Sequence, residues 1–166
     1  NFFDNTTGMF YFTEGVSEEL IVRKTEVFDT VMPASNSIMA NNLFVLGTIL
    51  DDNSYINMSK QILSNSIVQM EKFSSAFSNY ASLLLKFTHP FYEIAITGSA
   101  AHALNLDISK TYLPNKIIIG ATSNSTLELL EGKFEEGQSL IYVCKDKVCD
   151  LPTADPYKVI EQLRST

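Results

Sequence analysis

The spacing of apolar residues changes at His89-Pro90, and this change sets what the two halves of the chain can fold into. Before it, apolar residues recur at helical spacing in three successive segments. The first, about 36–50, carries Met39, Leu43, Phe44, Val45, Leu46, Ile49 and Leu50. It is apolar nearly all round, which predicts a well-buried helix. Asp51-Asp52-Asn53-Ser54 reads as a turn whose last residues cap a second helix, about 54–72, with a stripe of Tyr55, Met58, Ile62, Leu63, Ile67 and Met70. The third, about 74–88, follows Phe73 with Ala76, Phe77, Tyr80, Ala81, Leu84 and Phe87, and ends where Pro90 disfavours the helical conformation of its predecessor.

After Pro90 the pattern is that of short strands. Glu93–Thr97 reads as a strand, Gly98-Ser99 as a turn, 100–112 as a weak helix and Lys116–Gly120 as a second strand. Strand, helix, strand in that order implies parallel pairing through a right-handed crossover. Leu127–Leu130 is a short helix or turn and Leu140–Cys144 a third strand, while Asp155 caps a last helix with Pro156 at its first position. The fold class is therefore mixed α and β. A β-hairpin and three helices occupy 1–90, and a small α/β segment with a parallel strand pair occupies 91–166.

The hairpin is expected between Met9–Thr13 and Leu20–Phe28, both rich in aromatic and β-branched residues, with Gly15 and Ser17 between them. Alternation in the second strand puts Val22, Lys24, Glu26 and Phe28 on one face and Ile21, Arg23, Thr25 and Val27 on the other. Each face mixes charge with apolar surface, so one of them is expected to line a polar cavity or meet another part of the protein. Pro33 then breaks the chain, and Ser35 or Asn36 is the expected cap of the first helix.

Candidate chemistry gathers at this corner. Arg23, Lys24, Glu26 and Asp29 can line a pocket for an anionic or polyhydroxylated ligand, or simply pair and cap turns. Ser35 and Asn36, with Ser37, can present a helix N-terminus to a carboxylate or phosphate, or only cap the helix. Glu26 and Asp29 make a poor glycosidase pair, since extended chain separates their Cα atoms by about 10 Å and turns the side chains to opposite faces. Cys144 and Cys149 bracket four residues, a spacing compatible with a cross-strand disulfide or a redox pair but not with a dithiol CxxC. No second Cys or His pair accompanies them as a zinc site requires, so no metal is assigned. His102, in the turn-and-helix segment Thr97–Leu104, matches no phosphate-loop pattern, and no catalytic residue or cofactor motif is legible.

A net charge of −7 without a Lys/Arg cluster argues against nucleic acid and against docking on an anionic membrane. No apolar run approaches the roughly 18–20 residues that span a bilayer. Two cysteines in 166 residues fit a reducing, cytoplasmic setting. The opening Asn1-Phe2-Phe3, without Met, reads as the middle of a longer chain.

Taken together, several segments resemble the C-terminal part of the thioredoxin-domain-containing proteins related to spermatogenesis-associated protein 20. Gly8-Met9-Phe10-Tyr11-Phe12-Thr13 is similar to the family's glycine-then-aromatic segment. Arg23, Lys24, Glu26 and Asp29 resemble its R-x-K-E-x-x-D run at slightly altered spacing. Pro33-Ala34-Ser35-Asn36-Ser37 resembles P-S-G-N-S, with alanine for serine and serine for glycine, and is followed by Ala40 and Leu43. Tyr142-Val143-Cys144, Cys149, Pro152 and Asp155-Pro156 resemble its Y-V-C-x-x-x-x-C-x-x-P ending.

The resemblance implies a longer parent, with a thioredoxin-like domain followed by an α/α toroid of the six-hairpin type. That toroid is similar to those of N-acylglucosamine 2-epimerases and some glycosidases. This chain would hold the last toroid helices and the α/β segment, and the thioredoxin cysteines would lie outside it. Two functions are then expected. One is a scaffold or interaction module whose partners are the thioredoxin-like domain and the remaining toroid, with self-association through surfaces left uncovered on 36–50 or 74–88. The alternative is part of a sugar- or metabolite-binding toroid, with Glu26 as general acid or base in its boldest form.

Overall fold

Pro33 fixes the backbone ahead of the first long helix, and in the computed structural model, which describes residues 1–15 and 22–164, that helix, α1, spans Ser35–Leu50. The chain divides into two compact units, Asn1–Leu85 and Lys86–Thr166.

In the first unit α1 ends at Asp51, whose left-handed backbone (φ 52°) turns the chain within two residues. The Asp52 carboxylate accepts a 2.8 Å hydrogen bond from Ser54 N–H and so opens α2, Asn53–Lys72. The two helices pack along one another. The Ser59 hydroxyl donates to the Ala40 carbonyl at 2.7 Å, and Gly47 lies where an added Cβ would meet Ile56 at 2.8 Å and the Asp52 carbonyl oxygen at 2.9 Å. Ala40, Leu43 and Phe44 of α1 and Ile62 and Leu63 of α2 are buried.

Three sequence expectations change in this unit. First, α1 is not buried all round, because Ile38, Leu46 and Leu50 lie on an exposed face. Second, the third helix is interrupted. Ser74–Ala76 forms a 3₁₀ turn and α3 begins only at Ser78, running to Thr88. The Ala76 carbonyl is drawn out of helical pairing to accept from Asp29 N–H at 2.8 Å.

Third, the hairpin forms elsewhere. β2, Met9–Phe10, pairs antiparallel with β1, Phe3–Asp4, in the register Phe3↔Phe10 and Asp4↔Met9. Residues 22–28 form no ladder, and residues 20–21 of the expected strand lie outside those described. The cause is Asn36, whose amide accepts from Phe10 N–H at 2.7 Å and donates to the Phe10 carbonyl at 2.8 Å. It thereby occupies the β2 edge that a second strand would have used. Among the described residues a backbone bond still joins the segments, Phe12 N–H to the Lys24 carbonyl at 2.8 Å.

The second unit is a four-stranded sheet in the order β4-β3-β5-β6. β3 (Tyr92–Thr97) and β4 (Lys116–Ala121) are parallel, from Tyr92↔Lys116 to Thr97↔Ala121, with α4 (Ala101–Ser109) as the crossover. β5 (Leu140–Lys145) runs antiparallel to β3, and β6 (Val148–Cys149) folds back on β5. α5, Pro156–Arg164, starts where the Asp155 carboxylate accepts from Tyr157 N–H at 2.9 Å. Ile94, Ile96, Ile141 and Val143 of the sheet form one core with Ala101 and Ile108 of α4 and Val159 and Ile160 of α5. Leu127–Leu130 is a turn. Among the described residues no helix is long and apolar enough to cross a membrane.

Candidate functional site

Of the residues named at the corner, Glu26 and Asp29 meet Ser35, Asn36 and Ser37 at the start of α1, whereas Arg23 and Lys24 do not reach it. Ala34, not Ser35 or Asn36, holds the cap position, and its side chain cannot serve the helix. Two donors at the helix start, the N–H groups of Ala34 and Ser35, are satisfied from upstream instead. Asp29 Oδ1 accepts from Ala34 N–H at 2.9 Å and from the Ser37 hydroxyl at 2.6 Å, and Glu26 Oε2 accepts from Ser35 N–H at 3.2 Å. The other Asp29 oxygen accepts from Asn79 N–H at 2.9 Å, at the start of α3. One carboxylate thus ties together two helix N-termini, where negative charge is favoured.

Burial of Asp29, 6% exposed, pushes its pKa up, but the hydrogen bonds from Ser37, Ala34 and Asn79 outweigh that and hold it below the ordinary aspartate value. A carboxylate held ionised in this way is poorly suited to act as a general base near neutral pH. Asn36, fully buried, also donates to the Glu26 carbonyl at 2.9 Å, so its side chain bridges β2 and the 22–28 segment. The Ser35 hydroxyl is buried without a hydrogen-bond partner.

Arg23 is likewise turned inward. Its guanidinium donates to the Thr13 carbonyl at 2.8 Å and the Asn1 carbonyl at 3.0 Å, and lies 3.9 Å from the Tyr11 ring centroid. Lys24 is exposed. Sequence reasoning missed Asp4, which accepts from Thr6 N–H, the Thr7 hydroxyl and the Tyr11 hydroxyl at 2.8–3.0 Å. The Thr7 bond does most to lower its pKa. The signal was present as Asp4-Asn5-Thr6, an aspartate two residues before the N–H it accepts from.

In the second unit an open depression of about 530 Å³ lies beyond the carboxyl end of β4. His102 and Asn105 of α4 and the loop Thr122-Ser123-Asn124-Ser125 line it. The carboxyl ends of parallel strands are where open α/β sheets form crevices, so this location was implied by the strand–helix–strand order. Cys144 and Cys149, directly opposite each other on β5 and β6, are joined in a disulfide. Among the described residues no cluster of His, Cys, Asp or Glu could hold a metal ion.

Comparison with known proteins gives one relative. The chain is 24% identical to human spermatogenesis-associated protein 20 over 172 aligned positions. The match covers 93% of this chain but only 21% of that protein. It supports relatedness to that family. No protein-family model and no solved structure matches the chain.

Proposed function

We propose that this chain is the C-terminal region of a thioredoxin-domain-containing protein and acts there as a scaffold or interaction module. In this reading the first unit supplies the last helices of an α/α toroid, and its exposed apolar face seats the remaining helices of the same parent protein in the cytoplasm. The observation that carries it is the free face of α1. Ile38, Asn42, Leu46 and Leu50 recur every fourth residue, all four are exposed and three are apolar. Successive fourth residues lie along one side of a helix, so these side chains form a continuous stripe. Val31 and Met32, just ahead of α1, add exposed apolar surface. Soluble chains rarely leave such a stripe uncovered without a partner for it.

Two further facts favour the parent polypeptide as the occupant. The chain spans about a fifth of the relative it matches, at 21% of its length. The polar groups that a metabolite pocket would need are engaged within the first unit, Asp29 and Glu26 by backbone N–H groups and Arg23 by backbone carbonyls. The test is co-expression of this chain with the rest of its parent as two separate polypeptides. A stoichiometric complex is expected from the unaltered chain, and its loss from the double substitution Leu46→Asp/Leu50→Asp. Failure to co-purify, or a complex indifferent to that substitution, would exclude docking through α1.

A further inference from the structure

The geometry points to the Cys144–Cys149 bond as a thiol–disulfide exchange site, open to attack at Cys149 by a dithiol. The two sulfurs sit in unequal surroundings. Cys144 is 2% exposed within β5, whereas Cys149 is exposed on β6, the edge strand of the sheet. A nucleophile therefore has access from the Cys149 side.

The bond contributes little as a staple. It closes a loop with a sequence separation of 5, which restrains the unfolded chain less than a long loop does. The hairpin it crosses is held by backbone bonds beyond it. Asp150 N–H donates to the Val143 carbonyl at 2.9 Å, and Ile141 and Thr153 exchange bonds of 2.8 and 3.0 Å. At the other end Asp146 and Lys147, both at positive φ, form the two-residue turn that matches strand twist. The β5–β6 pairing thus has anchors on both sides of the sulfurs that do not depend on them.

The surroundings also suit an incoming thiolate. The charges around the hairpin cancel, Lys145 and Lys147 against Asp146 and Asp150, so they do not repel a thiolate as the chain's net charge of −7 would. Val148 and Leu151, both largely exposed, offer apolar contact beside it.

The step balances as ordinary exchange. A thiolate of the dithiol attacks Cys149 Sγ, and the Cys144–Cys149 bond breaks with its electron pair going to Cys144 Sγ, which takes up a proton. The second thiol of the dithiol, once deprotonated, attacks the mixed disulfide and releases Cys149 as the thiolate. Two electrons pass from the dithiol, now oxidised, to the cysteine pair.

The whole chain is the test material, with dithiothreitol as the dithiol and circular dichroism as the check on fold. Reduction within minutes in native buffer is expected, with the spectrum unchanged. Each cysteine is then left alone by Cys144→Ser or Cys149→Ser and challenged with an aromatic disulfide. The chain retaining Cys149 is expected to react at least about tenfold faster than the chain retaining Cys144, following exposure. The proposal is overturned if the bond resists dithiothreitol until denaturant is added, if the fold is lost with it, or if the two single-cysteine chains react alike. The wild-type arm decides even if a variant does not fold.

Discussion

The carboxylate of Asp29 takes three donors from two helices while almost wholly removed from water. Hydrogen bonds to a charged acceptor are among the stronger ones, and removing one partner leaves buried donors unsatisfied. Asp29→Ala is therefore expected to cost about 2–4 kcal/mol of stability in urea unfolding. The pH dependence has a definite sign. Asp29 has a lower pKa folded than unfolded, so its contribution is complete above the unfolded value, near 3.9, and is lost as pH falls through the folded one. Between neutral pH and pH 3, Asp29→Asn should accordingly lose less stability than the unaltered chain. Tyr80 presents the opposite situation. Its hydroxyl is buried with no partner in hydrogen-bond geometry, and burial pushes its pKa up to about 12, which the neighbouring Ser66 hydroxyl opposes only in part. Tyr80→Phe removes a polar atom that gains little from folding, so thermal unfolding should show it neutral or stabilising, within about 1 kcal/mol.

At the scale of elements, α1 and α2 cross closely enough that Gly47 has no room for a side chain. Alanine would improve intrinsic helix propensity, yet its Cβ would meet Ile56 and the Asp52 carbonyl. Gly47→Ala is expected to destabilise by about 1–3 kcal/mol, as overpacking does, in denaturant titration. The second unit was the more legible in sequence. Its strands are short apolar runs closed by turns, and the order strand, helix, strand leaves one favoured hand and pairing. Residues 22–28 were misread because β-branched and aromatic content reports suitability for a strand, not the identity of its partner. Asn36, one amide 26 residues from Phe10, decided that by taking the β2 edge. The caps were misread for a related reason. Ser35 and Asn36 look like capping residues locally, whereas Asp29 and Glu26 reach the helix start from upstream. The open face of α1 was hidden by its own composition, since a helix apolar all round names no outward side.

For the whole molecule, the first unit engages Asp29, Glu26 and Arg23 within itself and leaves an apolar stripe outward on α1, and the proposed docking role rests on that stripe. Leu46 and Leu50 are about half exposed, so charging them at the C-terminal end of α1 should cost the fold about 1–2 kcal/mol, which leaves it folded. Association is the property they should control. If α1 docks as proposed, a second copy of the chain is the cover available in a solution of the chain alone. Multi-angle light scattering across a range of protein concentrations tests this most directly. The unaltered chain is expected to form a dimer or larger species as concentration rises, and Leu46→Asp/Leu50→Asp to remain a monomer with an unchanged circular dichroism spectrum. An unaltered chain that stays monomeric at the highest concentration would contradict the account of α1 as a docking face.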